Sequence, residues 1–144
     1  MKMKMLPKTD NTPVIRTEFE DQHIWETICK LIRAPVHEGS YDFCANVEFV
    51  EDSEFRNLTK EQLLTRVPSD YGHSFLLVVD MTASQPPDFP ILVMDLRHER
   101  GRTFRAIPSQ IQGIENNLSI ANMDFFEFAD NVYEDGVFRG FPSS

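Results

Sequence analysis

Asp80 and Asp95 are the first residues whose type and position suggest chemistry, because each carboxylate directly follows a run of apolar residues. Carboxylates at the ends of neighbouring parallel strands often meet, and such a pair can share a proton or a metal ion. Here only ten residues, 81–90, connect the two runs, whereas a parallel crossover needs a dozen or more. An antiparallel pair would separate the two carboxylates by about 15 Å. We therefore predict that each carboxylate caps or anchors its own loop.

The other residue types that bind metals or act as nucleophiles are dispersed along the chain. Without an HxxxH or HExxH motif, or a cysteine pair at ligand spacing, the sequence predicts no metal site, although a site assembled from distant residues stays an alternative. His73 and Ser74 are adjacent, but neighbouring strand residues point to opposite faces. There is no GxSxG elbow and no glycine-rich phosphate loop. We predict no catalytic residue and no cofactor. The histidines are His23, His37, His73 and His98.

Charge is distributed unevenly along the chain. The net charge is −9, and two long stretches, 34–55 and 106–138, each contain six acidic residues and no lysine or arginine. Unpaired carboxylates within a Debye length repel one another, and a cationic partner would relieve that repulsion. A solvated acidic surface that serves no partner is the alternative. The residues that we predict to bind a partner are Glu48, Glu51, Asp52, Glu54, Glu127, Asp130 and Glu134.

Four arginines, in contrast, lie within nine residues around one predicted hairpin. They are Arg97, Arg100, Arg102 and Arg105. Guanidinium groups match phosphates and carboxylates, so Arg97, Arg102 and Arg105 are candidate ligand-binding residues. If Arg97 and Arg102 are a cross-strand pair, they share one face with Asp95. A local cluster of salt bridges is the alternative to a ligand site.

Asn116, Asn117 and Asn122 form a further polar group near predicted helix ends. Carboxamides in such places usually cap a helix or bind loop backbone. They also carry paired donors and acceptors, so Asn116 and Asn117 join the arginines as candidate ligand-binding residues.

The strands that would position these residues follow from short apolar runs. We predict strands at 14–19, 43–50, 75–79, 91–96 and 102–107. The run 75–79 has no polar alternation, which is typical of a strand covered on both faces. The short link before 102 favours an antiparallel hairpin.

Helical spacing and capping residues predict four helices. Asp21 caps the first, and Thr59 with Gln62 forms a capping box for the second. Ser109 and Gln112 repeat that spacing for the third, in which Ile107, Ile111, Ile114 and Leu118 would face inward. Asn122 is predicted to cap the fourth, and 137–141 is a short apolar tail docked on the body.

This order of elements predicts an α/β protein of α+β character. We expect a single domain over residues 13–144, with a mixed five-stranded sheet, about four helices and a C-terminal antiparallel meander. Residues 1–12, which alternate Met and Lys before Pro7, are expected to form a flexible arm.

Composition restricts the class of protein further. Apolar residues make up 41% of the 144 residues, which is enough for one core. The net negative charge disfavours a nucleic-acid partner, and the longest apolar run is far shorter than the roughly 20 residues that span a bilayer. With no signal-peptide pattern, we expect a cytoplasmic protein. Both Cys29 and Cys44 are expected to be buried thiols, and whether they pair is left open.

Several segments resemble a known family. Residues 101–105, 115–119, 121–125 and 135–141, with the opening strands at 14–19 and 47–50, are similar to small acidic bacterial proteins known only as a domain of unknown function, family 6924. The resemblance covers nearly the whole chain after the arm. It implies a bacterial or phage-borne, single-domain, cytoplasmic protein, and it supplies no activity, cofactor or catalytic residue.

Three hypotheses about function follow. The leading one is a non-catalytic module whose acidic face, rimmed by aromatic residues, binds a basic protein partner; an immunity protein or antitoxin is one concrete form. The second is a small enzyme or a binder of anionic ligands, which would combine the arginine hairpin with Asp80, Asp95 or Asn116. The third is a homodimeric structural protein that pairs through an exposed strand or the C-terminal tail.

Overall fold

The computed structural model describes residues 3–141, and within that range two sheets form. The strands are β1 (Thr12–Arg16), β2 (Val36–Glu38), β3 (Tyr41–Phe43), β4 (Val47–Val50), β5 (Phe75–Val79), β6 (Ile91–Asp95), β7 (Thr103–Ala106) and β8 (Val137–Phe138). The main sheet has the order β4-β1-β5-β6-β7-β8, and β2 pairs with β3 alone. Strands β4, β1 and β5 are parallel, β6 is antiparallel to β5 and β7, and β8 is parallel to β7.

Four α-helices cover the two faces of the main sheet. They are α1 (Gln22–Arg33), α2 (Lys60–Thr65), α3 (Ile111–Ser119) and α4 (Phe125–Ala129), with short 3₁₀ turns at Ser53–Phe55 and Pro108–Gln110. Helices α1, α3 and α4 pack on one face, while α2 and the first 3₁₀ turn pack on the other. The α/β class, the mixed sheet and the four helices are thus confirmed, as is the antiparallel order of β5, β6 and β7.

The central strands explain why the core has two halves. Every residue of β5 is buried, and successive side chains of a strand point to opposite faces. Leu77 therefore contributes to the core under α1, whereas Leu76 and Val78 contribute to the core under α2. The unbroken apolar run of this strand is the consequence of cover on both sides.

The number of strands differs from the prediction at two places. Residues 43–50 do not form one strand; the β2–β3 hairpin ends at Phe43 and β4 begins only at Val47. At the other end, the predicted docked tail forms a sixth strand, because β8 pairs with β7 through Arg105–Val137 and Ala106–Phe138. A two-residue strand is too short to show an alternating pattern, so no strand could be predicted there.

Helix capping was predicted correctly at two helices and wrongly at two. The Asp21 side chain accepts from the backbone N–H of Ile24, and Thr59 forms the expected capping box with its helix. Helix α3, however, continues directly from the 3₁₀ turn at Pro108 and has no side-chain cap. Helix α4 is capped by Asp124 rather than Asn122, since the turn that ends α3 occupies the residues before it.

The predicted flexible arm makes contacts with the body where it is described. Leu6 is 2% exposed, and its backbone N–H donates to the Arg66 carbonyl at 2.8 Å. The Tyr71 hydroxyl donates to the Pro7 carbonyl. Residues 1–2 of the arm and residues 142–144 of the predicted domain lie outside the described residues, and the mobility of the arm stays a prediction.

The two cysteines occupy different environments. Cys29 lies on the buried face of α1, as expected, but the prediction that Cys44 is buried is wrong. Residues 37–44 are all exposed, because the β2–β3 hairpin stands outside the main sheet. Both thiols are free, and burial raises the pKa of the Cys29 thiol to about 11.

An aromatic cluster closes the core at β7 and β8. Phe104 contacts Phe125 with ring centroids 5.0 Å apart, and Phe128 contacts Phe138 at 5.3 Å. These edge-on pairs join α4 to the two strands. Within the described residues, no helix has the length and apolar character required to cross a membrane.

We expect the Phe128→Ala variant to lose about 3–5 kcal/mol of unfolding free energy, because it leaves a cavity among these rings. Phe128 is 2% exposed and Phe126, in the same helix, is 50% exposed. Phe126→Ala is the matched control and should change the unfolding free energy by less than about 1 kcal/mol. Urea denaturation measures both. Equal losses would contradict the assignment of Phe128 to the core.

Thiol labelling should distinguish the two cysteines. At pH 8 a thiol whose pKa is about 11 is ionised in roughly one molecule in a thousand, and Cys29 is also buried. We expect iodoacetamide to modify Cys44 in the native protein and Cys29 only after addition of denaturant. Peptide mass spectrometry identifies the labelled residue, with Cys44→Ser as the control. Rapid native labelling of Cys29 would contradict its burial.

Candidate functional site

The seven carboxylates predicted to bind a partner lie at opposite edges of the main sheet. Glu48 is in β4, and Glu51, Asp52 and Glu54 follow it directly. The other three are in or just after α4, which packs on β7. Four inter-strand spacings separate β4 from β7, which is on the order of 19 Å. The set therefore forms two groups rather than the one face that the sequence suggested.

In the group at β4, most carboxylates are held by the chain itself. Glu51 pairs with Arg16 at 3.0 Å. Asp52 pairs with Lys4, and this hydrogen bond, with a second one from a backbone N–H, holds the pKa of Asp52 below its usual value. Glu48 accepts two backbone N–H groups from residues 10 and 11. Glu54 is exposed and forms no ion pair within residues 3–141.

In the group near α4, two of the three carboxylates also have a partner within the chain. Glu127 accepts the backbone N–H of Asp124 in the capping box, and Asp130 forms an ion pair with Arg102. Glu134 is exposed and has no ion-pair partner in the described part of the chain. Cations from distant positions thus pair with three of the seven carboxylates, and backbone N–H groups donate to two more.

Arg16, which sequence reasoning did not single out, is a buried charge at the end of β1. It is 2% exposed. Its Nε donates to the Glu18 carbonyl at 2.7 Å, and its Nη1 donates to Gln22 at 2.8 Å and to Glu51 at 3.0 Å. The other oxygen of Glu51 accepts from Trp25 Nε1 at 3.0 Å. The Glu51 carboxylate therefore joins β1 to α1 and to the loop after β4.

Aromatic rings complete this cluster. The Arg16 guanidinium lies 4.5 Å from the Phe19 ring centroid and 5.1 Å from that of Trp25. The cluster fills the crevice where the chain leaves β1 towards one face of the sheet and leaves β4 towards the other. Ligands often bind at such a point in α/β proteins, but here the crevice holds the chain's own side chains.

Arg105 and Asp80 are brought together, as the ligand-binding alternative required. Their two hydrogen bonds, at 2.9 and 2.7 Å, form a bidentate pair. Asp80 also accepts the Ala83 backbone N–H at 2.9 Å, so it anchors its loop as predicted. The pair lines a cavity of about 470 Å³ together with Lys60. Because Arg105 is held by the Asp80 carboxylate, it is not free to bind another anion without breaking this pair.

Arg97 and Arg102, two further arginines of the predicted cluster, do not face each other across the hairpin. Asp95, not Arg97, is the residue opposite Arg102, since the Asp95 N–H donates to the Arg102 carbonyl. The cross-strand pair of Arg97 with Arg102 that the sequence left open therefore does not form. The Asp95 carboxylate accepts from the backbone N–H groups of Arg97 and Glu99 at 2.9 and 2.8 Å, so it anchors its loop. Asp80 and Asp95 lie at opposite ends of the β5–β6 pair.

The asparagine group serves local structure. Asn117 donates to the Gly113 carbonyl and accepts from Asn122, both at 2.8 Å. These bonds fix the turn that follows α3. Asn116 is exposed, and neither Asn116 nor Asn117 lines a cavity with the candidate arginines.

A polar cleft of about 310 Å³ lies at the amino-terminal ends of β1, β4 and β5. Arg97 lines it, as do His73 and the buried Glu115. Glu115 accepts from the Asn46 backbone N–H at 2.7 Å and from the Ser119 hydroxyl at 2.6 Å. Among residues 3–141, no three His, Cys, Asp or Glu residues are grouped to hold a metal ion.

The free edge of β4 and the neighbouring β2–β3 hairpin form the other exposed feature, which we call the β4 edge. Strand β4 ends the main sheet. In the hairpin, Tyr41 is 69% and Phe43 is 41% exposed, and their ring centroids are 6.4 Å apart. His37 forms an ion pair with Asp42 across the hairpin. The hairpin that carries these two exposed rings is thus separated from the edge strand by only three residues, 44–46.

Sequence reasoning missed Arg16 and Glu115, although the pattern contained a signal for both. Arg16 is two residues after Val14, so it shares the buried face of that strand. Glu115 is four residues after Ile111 and three before Leu118, which places it on the apolar face of α3. A charged residue at a position that the periodicity assigns to the core is the signal for a buried polar site.

Comparison with known proteins identifies the family. The model of the domain of unknown function DUF6924 matches residues 11–141. The chain therefore belongs to this family, as its C-terminal segments suggested. No curated protein matches the chain.

The cluster around Arg16 leads to a stability prediction. Glu51→Ala leaves a buried guanidinium without its carboxylate, and we expect it to lower the unfolding free energy by about 3 kcal/mol. Arg16→Met removes the charge but keeps the apolar stem, and the Glu51 side chain, 46% exposed, stays hydrated. We expect a loss of less than half as much. Chemical denaturation tests both, with Glu54→Ala as the control; a larger loss for Arg16→Met would contradict the argument.

Proposed function

We propose that this member of the DUF6924 family is a non-catalytic protein-binding module, and that its β4 edge receives an extended basic segment of a partner. The observation that carries the proposal is the open edge of β4, which follows a hairpin with two exposed aromatic side chains after only three residues. We place the protein in the bacterial cytoplasm as part of the same proposal. An immunity protein or antitoxin is one concrete form of such a module.

The unpaired backbone of β4 supports binding by strand addition. An edge strand presents free N–H and C=O groups, and an extended peptide can pair with them. Within residues 3–141, strand β4 has only β1 as a neighbour in the main sheet. The rings of Tyr41 and Phe43, in the hairpin that directly precedes β4, supply exposed apolar contact area, and aromatic residues of this kind are frequent anchors in interfaces.

Charge supports a basic partner over an acidic one. Glu38, which precedes β4 in the chain, and Glu54, which follows it, are exposed and form no ion pair within residues 3–141. Two cations nearby are already in contact with rings: Arg33 lies 4.4 Å from the Phe49 centroid and Arg56 lies 5.3 Å from that of Phe19. The overall charge of −9 adds long-range attraction for a basic protein.

A second candidate is a binder of anionic ligands at Arg105, which the cavity of about 470 Å³ supports. The ion pair with Asp80 weighs against it, because an anion would have to displace a bidentate carboxylate. A homodimer is the third candidate, since a second copy could pair with the same edge.

A synthetic peptide that alternates Lys with Val tests the main proposal. We expect it to protect the amides of residues 47–50 from hydrogen exchange, and to bind about tenfold more weakly at 500 mM than at 50 mM salt. The double variant Glu38→Lys/Glu54→Lys should weaken binding by about tenfold as well.

The charge-matched control is Glu61→Lys/Glu134→Lys, at two exposed positions outside β4; Glu134 belongs to the separate group near α4 and is not part of the site proposed here. It should bind as the wild type does. Equal weakening by both double variants would indicate general attraction to an acidic protein and would overturn the proposal. A dimer in solution that Tyr41→Ser/Phe43→Ser dissociates would favour the homodimer instead.

A further inference from the structure

The cleft at the amino-terminal ends of β1, β4 and β5 contains a buried carboxylate without a cation. Glu115 is 3% exposed, and no Lys, Arg or His of residues 3–141 forms an ion pair with it. A buried charge is costly unless it is hydrogen-bonded and paired. Hydrogen bonds from Asn46 and Ser119 satisfy part of this requirement, but within residues 3–141 no ion pair completes it.

The Glu115 carboxylate has acceptor capacity left over. A carboxylate offers about four lone-pair sites, and its two hydrogen bonds use one site on each oxygen. Both donors, Asn46 and Ser119, line the cleft together with Glu115. The carboxylate is therefore at the cleft wall, where an ammonium group of a ligand would supply both the missing donors and the missing positive charge.

Arg97 supplies the opposite charge in the same cleft. Its backbone N–H is fixed by Asp95 at 2.9 Å, whereas its guanidinium donates no hydrogen bond to residues 3–141. The side chain is exposed and lines the cleft. A planar guanidinium of this kind matches a carboxylate with two parallel hydrogen bonds.

We propose that this cleft binds a small zwitterion of the α-amino acid type, with its ammonium group at Glu115 and its carboxylate at Arg97. The volume of about 310 Å³ is at the lower end of the range for ligand sites. Phe75 and Leu118 also line the cleft and provide an apolar wall for a side chain. The site is separate from the β4 edge, so the two proposals stand or fall independently.

Two further titratable groups face the cleft, and neither replaces the proposed pairs. His73 Nε2 lies 2.9 Å from the Thr9 carbonyl and 3.0 Å from the Thr9 hydroxyl, so this nitrogen is already engaged. Asp10 is exposed at the rim and adds negative charge, which favours a ligand whose ammonium group enters the cleft.

The test is a titration of the full chain with each of the twenty common amino acids, in which amide chemical shifts report binding. Methylammonium and acetate serve as the two half-ligands. We expect at least one amino acid to shift the amides of Asn46, Ser119 and Arg97, and to bind about tenfold or more tightly than either half-ligand. No shift with any amino acid, or equal binding of methylammonium, would overturn the proposal.

Variants separate the two contacts. Glu115→Gln keeps an acceptor for Asn46 and a group that can bond to Ser119, and Arg97→Gln changes an exposed side chain. Each should weaken binding by about tenfold or more. Arg100→Gln, in the same loop but outside the cleft lining, is the control and should bind normally. If Glu115→Gln does not fold, Arg97→Gln decides alone; unchanged affinity in Arg97→Gln would contradict the assignment.

Discussion

The burial of the central strands on both faces is the constraint on which the rest of the structure depends. Strand β5 is fully buried and sends alternate side chains into two cores. Helices must therefore cover both faces, and the connections that carry α1 and α2 leave the sheet on opposite sides. Polar groups are consequently confined to the ends and edges of the sheet, because those are the places where the backbone returns to water.

Each end of the sheet meets this constraint in a different way. At the carboxyl ends of β1 and β4, Arg16 fills the crevice, where it forms an ion pair with Glu51 and contacts two aromatic rings. At the amino-terminal ends, Glu115 is hydrogen-bonded but not neutralised, and a cleft remains open beside it. A closed, paired charge contributes to structure, whereas an uncompensated charge at an open cleft is a place for a ligand.

The distribution of ion pairs changes the meaning of the acidic composition. Cations that are far away in sequence reach the acidic stretches: Lys4 binds Asp52, Arg102 binds Asp130 and Arg16 binds Glu51. Exposed pairs of this type add little stability, but they remove local repulsion. The net charge of −9 is unaffected by pairing, so it continues to act at long range, while short-range recognition depends on the few carboxylates that stay unpaired.

What the sequence determined by itself is the local structure. Capping at Asp21 and Thr59, the doubly buried β5 and the antiparallel separation of Asp80 from Asp95 all depend on residues within one turn, one strand or one short connection. The division of residues 43–50 and the two-residue β8 were not predicted, because strands of two to four residues are too short to show an alternating hydrophobic pattern.

Tertiary structure alone decided which charges meet. Glu51 reaches Arg16 across 35 positions, and Glu115 reaches Asn46 across 69. The separation of the acidic set into two groups depends on the strand order, in which β4 and β8 are at opposite edges. Pattern rules describe spacing along the chain, whereas ion pairs, clefts and free edges depend on distances through space, which only the packing of both cores fixes.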